Sequence, residues 1–258
     1  MRYNQKLSFF MIFTLGFSIL LLILNYKSYI FSESKALAQK SELTTASQVF
    51  PFSKGEKIIY NVALFGIKIG QAQLQFLGKT NLNNKVAELI ILSTDVNNLK
   101  DVEKIYVDSN SFLPLRIERD VVFFGKKMRI IEEYNMKENS LMVSKTEGGK
   151  TTKKIFQSFK PMQNIISLIF MLRKSKSLEI GQKISVVTPL LNFDMKVAKL
   201  VNFSTANDKF KAYFLESSPK RYRIWIDQGA RRIPLRVDGA IAFGNAAMVM
   251  TKFIPGEN

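Results

Sequence analysis

The sequence predicts a mainly β protein, a curled antiparallel sheet or open barrel of two pseudo-repeated halves joined by one central helix, with an N-terminal apolar signal or anchor helix in front. Three observations predict it. Runs that alternate apolar and polar residues recur between turn signals, with short connections and no intervening helices, which argues for antiparallel pairing. One segment, Pro161–Arg173 (PMQNIISLIFMLR), switches to helical spacing, with Met162, Ile165, Ile166, Ile169 and Leu172 on a face that needs a core to cover it. The segments on its two sides resemble each other.

The chain begins with a basic n-region, Arg2 and Lys6, followed by an apolar run from Leu7 to Leu24. That pattern is an export signal before it is fold. Ala36-Leu37-Ala38 offers a small-x-small cleavage site that would leave Gln39 as the new N-terminus. The run of about 18 residues also reaches the length that spans a bilayer, so residues 1–38 read as a signal peptide or as an uncleaved anchor. Either puts the body outside the cytoplasmic membrane, in the periplasm or anchored facing it. Residues 39–50 are small and polar, a linker. Residues 51–258 read as a single β-rich domain, with halves at about 51–157 and 178–258 around the helix at 161–174.

Within the first half, strands are expected at Lys57–Leu64, Ile67–Leu77, Val86–Asp95, Glu103–Asp108, Leu113–Phe124, Lys127–Met136, Leu141–Lys145 and Thr152–Phe156. Gly66, Gly78, Asn83-Asn84, Asn110, Gly125 and Gly148-Gly149 punctuate them as turns. After the helix come Lys183–Val187, Phe193–Val201, Phe210–Leu215, Tyr222–Asp227, Ile233–Phe243 and Ala247–Phe253.

An internal echo ties the halves together. Ile105-Tyr106-Val107-Asp108 leads to Pro114-Leu115-Arg116-Ile117 and then Phe124-Gly125. Ile224-Trp225-Ile226-Asp227 leads to Pro234-Leu235-Arg236-Val237 and then Phe243-Gly244, with the same Asp-to-Gly separation of 17 residues. Upstream, Gly55-Glu56-Lys57-Ile58 is answered by Gly181-Gln182-Lys183-Ile184. In physical terms a strand ends in Asp, a turn follows, and proline opens the next strand where it costs no ladder bond. A period near 120 residues is too long for a solenoid, so a duplicated sheet is expected.

At these residues the chain resembles a family of exported bacterial proteins known as domain of unknown function 3108. The likeness runs from about Phe52 to Phe253 and rests on Gly55–Leu74, Ser167–Lys174, Leu178–Lys183 and Ile224–Val237. Gly66 and Gly70 fall where the family's opening strand pair has small residues. The resemblance implies export and a curled β architecture. It implies no reaction and carries over no functional residues.

Composition narrows the chemistry. The chain has no Cys and no His, which excludes disulfides, thiolate metal sites, cysteine nucleophiles, Ser–His triads and His-ligated zinc. No metal site and no cofactor are expected. The net charge is +17, from 38 basic and 21 acidic residues, and it favours anionic partners: lipid surfaces, lipopolysaccharide or acidic glycans.

Asp108 and Asp227 are equivalent carboxylates. They could pair as acid and base, as in carboxylate-only glycosidases, or each could bond the backbone of its own turn. Repetition of one motif favours the turn role, with Pro114 and Pro234 as its other structural members. Arg116 and Arg236 also repeat, as anion ligands or as partners of Glu118 and Asp238. Lys220, Arg221, Tyr222, Arg223, Trp225, Arg231 and Arg232 add the densest basic and aromatic cluster. Arg116, Arg221, Arg223, Trp225 and Arg236 are therefore the candidate ligand-binding residues. The cluster also suits single-stranded nucleic acid, but an exported body meets lipid, glycan or an envelope protein instead. Ser217-Ser218-Pro219-Lys220 has Ser-x-x-Lys spacing in a turn rather than at a helix start, and Lys145–Lys150 lacks the nucleotide-loop pattern. Phe123-Phe124, Phe156, Phe159 and Phe170 would fill a core or line an acyl pocket. The expectation is a non-enzymatic envelope binding or structural module, with a carboxylate-based glycan hydrolase as the alternative.

Overall fold

The computed structural model describes residues 50–205, 208–239 and 246–257; the leader, residues 39–49 of the linker, and Phe243-Gly244 lie outside them. Fourteen strands lie among the described residues, most of them with period-2 burial. The first half holds β1 (Lys57–Leu64), β2 (Ile67–Leu82), β3 (Lys85–Val96), β4 (Leu99–Val107), β5 (Pro114–Phe123), β6 (Lys126–Asn135), β7 (Ser140–Glu147) and β8 (Lys150–Gln157). After α1 (Ile165–Lys174) come β9 (Lys183–Val187), β10 (Asn192–Ser204), β11 (Lys209–Ser218), β12 (Arg223–Asp227), β13 (Pro234–Asp238) and β14 (Ala246–Ile254). All pair antiparallel in one sheet, ordered β8-β7-β6-β5-β4-β3-β2-β1-β14-β13-β12-β11-β10-β9.

That order is two six-stranded meanders laid in tandem, β6 to β1 and then β14 to β9, with β1 and β14 joining them. The echo in the sequence is an echo of registers. Gly55 N–H donates to the Phe76 carbonyl and Phe76 N–H to the Glu56 carbonyl; Gly181, Val197 and Gln182 repeat both bonds. Each second strand then bulges, between Phe76 and Gly78 in β2 and between Val197 and Lys199 in β10. Each proline-led strand bulges against the strand before it, at Leu115 in β5 and Leu235 in β13, so Tyr106 faces Arg116 and Trp225 faces Arg236. In the second half β1 covers the outer edge of β14; in the first, the hairpin β7–β8 takes that place on β6. Edges β8 and β9 are not paired with each other, so the barrel stays open.

Helix α1 is the connection between those two open edges. It begins at Ile165 and not at Pro161, because Asn164 is its N-cap: Oδ1 accepts from the N–H groups of Ile166 at 2.8 Å and Ser167 at 3.3 Å. Ile165, Ile166, Leu168, Ile169, Phe170 and Leu172 are all buried. A helix apolar on so many sides must be enclosed. Its side chains join one core cluster with inward residues of both meanders, such as Ile58, Leu74, Ile105, Val197, Ile224 and Met248. Phe52, Phe76, Phe112 and Phe170 stack there with centroids 4.8–6.4 Å apart.

One glycine differs from the turn reading. Gly78 is not in a turn; it sits at the β2 bulge with φ +76°. Gly70 sits tight against β3: a Cβ there would meet the Asp95 carbonyl and lie 2.6 Å from Val96 Cα. The other turn glycines, Gly66, Gly125 and Gly148-Gly149, have positive φ as hairpin turns require.

Candidate functional site

The two repeated turns converge on the C-terminal end of α1. In the first, Asp108 Oδ1 accepts from Asn110 N–H, Ser111 N–H and the Ser111 hydroxyl at 2.8–3.1 Å. That leaves one carboxylate oxygen of Asp108 spent on its own turn. Lys174 Nζ donates to the carbonyls of Ser109, at 3.2 Å, and Asn110. In the second turn Asp227 Oδ2 leans over Gly229, where any Cβ would come within 2.7 Å. Arg232 turns back and donates to the carbonyls of Leu172, Ser175 and Lys176, the acceptors a helix end leaves free. Phe112 and Arg232, each two residues before the proline, both have positive φ, at +56° and +46°. Pro114 and Pro234 open β5 and β13. The repeated motif is a clamp on the helix.

Sequence reasoning missed the most buried charges. Arg173 is 0% exposed and lies 2.7 Å from Glu56, which is 2% exposed. Its guanidinium sits over the rings of Phe52 (4.8 Å) and Phe170 (5.2 Å) and donates to the Arg231 carbonyl at 3.1 Å. Glu56 Oε2 and Arg173 Nε have no hydrogen-bond partner among the described residues. Beside them the Tyr60 hydroxyl donates to the Pro234 carbonyl at 2.9 Å, and burial holds it well above the usual phenol range. The available signal was a lone arginine ending an otherwise apolar helix.

A second polar group lies on the inward face of β4–β6. Arg119 bridges Asp101 and Glu103, with Nε 3.1 Å from Glu103, and Tyr134 donates to Glu132 at 2.5 Å. Burial pushes the Glu103 carboxyl up to about 7. Arg119 opposes that rise, while Asp101 and Glu132 add to it. Cross-strand spacing on one face could have found this set, but only with the register known.

The candidate anion ligands lie on the outward face. In the second half one row crosses four strands: Lys199, Phe214, Trp225 and Arg236. The Arg236 guanidinium is 4.9 Å from the Trp225 ring centre, Phe214 lies 4.9 Å from Trp225 on the other side, and Lys199 stands 5.8 Å over Phe214. The neighbouring row is Lys196, Glu216, Arg223 and Asp238. Asp238 binds both Arg236 and Arg223 at 2.7 Å. Arg221 is exposed in the preceding turn, where its N–H donates to Ser217 Oγ. Ser217 Oγ also takes the Tyr222 N–H and donates to the Pro219 carbonyl, so the Ser-x-x-Lys serine is committed to that turn.

The same positions in the first half read differently. Register equates Gly78, Leu89, Tyr106 and Arg116 with Lys199, Phe214, Trp225 and Arg236. Arg116 is held between Glu118 at 2.8 Å and Glu133 at 2.7 Å. Val249 stands in the second half where Glu133 stands in the first.

A pocket of about 400 Å³ lies at the open seam, lined by Phe156, Phe159, Met162, Val187, Leu190 and Leu191 among others. Phe156 and Phe159 thus face a cavity, whereas Phe170 is core and Phe123-Phe124 pack on each other at another corner.

The model of a protein family of unknown function, DUF3108, matches residues 58–251. A crystal structure of a β-barrel-like protein of domain of unknown function DUF1849 from Brucella abortus aligns at 9% identity and a TM-score of 0.46, over 80% of this chain and 99% of that one. No curated protein matches the chain.

Proposed function

Because the chain belongs to the DUF3108 family of proteins of unknown function, we propose its role from an outward surface on which its equivalent halves differ: an exported, non-enzymatic module that binds an anionic component of the cell envelope through Lys199, Arg223, Trp225 and Arg236. The observation that carries the reading is the contrast between matched outward rows. In the first half Lys104 and Arg116 face Glu118 and Glu133, so charge balances and the aromatic partner is Tyr106. In the second, Lys196, Lys199, Arg223 and Arg236 share only Glu216 and Asp238. Trp225 and Phe214 stand among them with their ring centres 4.9 Å apart. A fixed scaffold with cations around an indole suits a phosphate-bearing headgroup at a membrane surface, where guanidinium and ring both find partners. Arg221, at the end of the same hairpin, adds to that face.

The test is co-sedimentation of the chain expressed from Gln39 with phosphatidylcholine vesicles containing phosphatidylglycerol. Each surface cation near anionic lipid contributes about 1 kcal/mol, so Arg223→Gln with Arg236→Gln lowers partitioning roughly 30-fold. Arg116→Gln, at the matched position, leaves it unchanged. Equal losses from the two changes sink the reading.

A further inference from the structure

The open seam is a second interaction surface, unrelated to the outward cationic rows. We infer that β8 accepts an extended acidic segment of a partner protein as an added strand, with one apolar side chain entering the seam pocket.

The first support is backbone. Ser158 N–H donates to the Asn139 carbonyl, which fixes the phase of the β7–β8 ladder. Phe156, Lys154 and Thr152 then bond to β7, and the N–H and C=O groups of Thr151, Lys153, Ile155 and Gln157 point outward. β8 ends the sheet, so those groups meet no further strand among the described residues. On the opposite edge, β9 already gives its Val187 carbonyl to Gln163 N–H at 2.7 Å. The longer free ladder belongs to β8.

The second support is side chains. Every residue of β8 but Phe156 is exposed, and Ile155 is 74% exposed. Lys150, Lys153 and Lys154 make no ion pair among the described residues, and the strand contains no acid. Lysines on an edge oppose pairing with another lysine-rich edge, so a second copy of β8 is the wrong guest. Carboxylates placed opposite them reverse that effect. The pocket begins where the strand ends, at Phe156 and Gln157, and its far wall is Leu190 and Leu191. An added strand that runs along β8 therefore delivers alternate side chains to the lysines and then one to the pocket.

The test follows amide exchange by NMR in the full-length chain, with a synthetic peptide alternating Glu and Val as probe and its Lys–Val counterpart as control. Binding of the Glu–Val peptide should slow exchange at Thr151, Lys153, Ile155 and Gln157 by about tenfold or more, while Thr152, Lys154 and Phe156 keep their protection. Lys153→Pro removes one outward donor without a ladder bond to β7, and should abolish the effect in a folded chain. Lys150→Glu, Lys153→Glu and Lys154→Glu together should transfer binding to the Lys–Val peptide. The inference is overturned if neither peptide slows the four amides, or if both do so equally. It is also overturned if the free chain proves to be a dimer with those amides already protected, or if a co-purifying acyl lipid fills the pocket and blocks the peptide.

Discussion

Replacing Arg173 by Met tests how the helix is locked into the sheet. Both members of the Arg173–Glu56 pair are almost wholly buried, 2.7 Å apart. Met keeps most of the aliphatic stem, loses the guanidinium over Phe52 and Phe170, and strands the Glu56 carboxylate, whose Oε2 already lacks a partner among the described residues. Removing one partner of a buried pair costs about 3–5 kcal/mol. With an m-value of about 2 kcal/mol/M in urea, the unfolding midpoint should fall by about 2 M. Glu56→Leu added to Arg173→Met removes the stranded charge, and the double variant should return to within about 1–2 kcal/mol of the parent. Midpoints from circular dichroism at fixed pH decide it. A loss below about 1 kcal/mol for Arg173→Met, or a double variant no better than the single, refutes the view that Glu56 depends on Arg173 for its burial.

Three further outcomes follow from the geometry. Because the folded chain keeps a proton on Glu103 up to about pH 7 while the unfolded chain releases it near 4.5, stability should fall as pH rises through that window, by up to about 3 kcal/mol, and level off above it. Glu103→Gln should flatten that slope in urea midpoints taken from about pH 5 to pH 8; an unchanged slope assigns it to another group. Gly70→Ala should cost about 1–3 kcal/mol, since its Cβ meets backbone of β3 that has no room to yield, and a neutral change in thermal midpoint contradicts this. Asn164→Ala should cost about 1 kcal/mol and Asn164→Asp almost nothing, read from the same midpoints; equal losses would deny the side-chain cap.

The sequence by itself determined the described strands, the central helix and the duplication. Alternation is a local signal, set by which face of each strand is wet, and among the described residues it placed the strands apart from their ends: β2 runs on to Leu82 past its bulge, β4 begins at Leu99 and β13 closes at Asp238. The repeated Asp and Pro carried the turns because their chemistry acts within a few residues. Register and curvature are not local, and they decided the rest. Only the fold brings Lys174 to the first turn and Arg232 to the helix end, or sets Glu56 against Arg173 across more than a hundred residues of chain. Only the ladder shows that Arg116 is neutralised by Glu133 while its counterpart Arg236 meets Val249. A side chain's own strand fixes its face, but the neighbouring strand fixes its partners, and those partners set Arg116 between two carboxylates while Arg236 shares Asp238 with Arg223 beside the Trp225 ring.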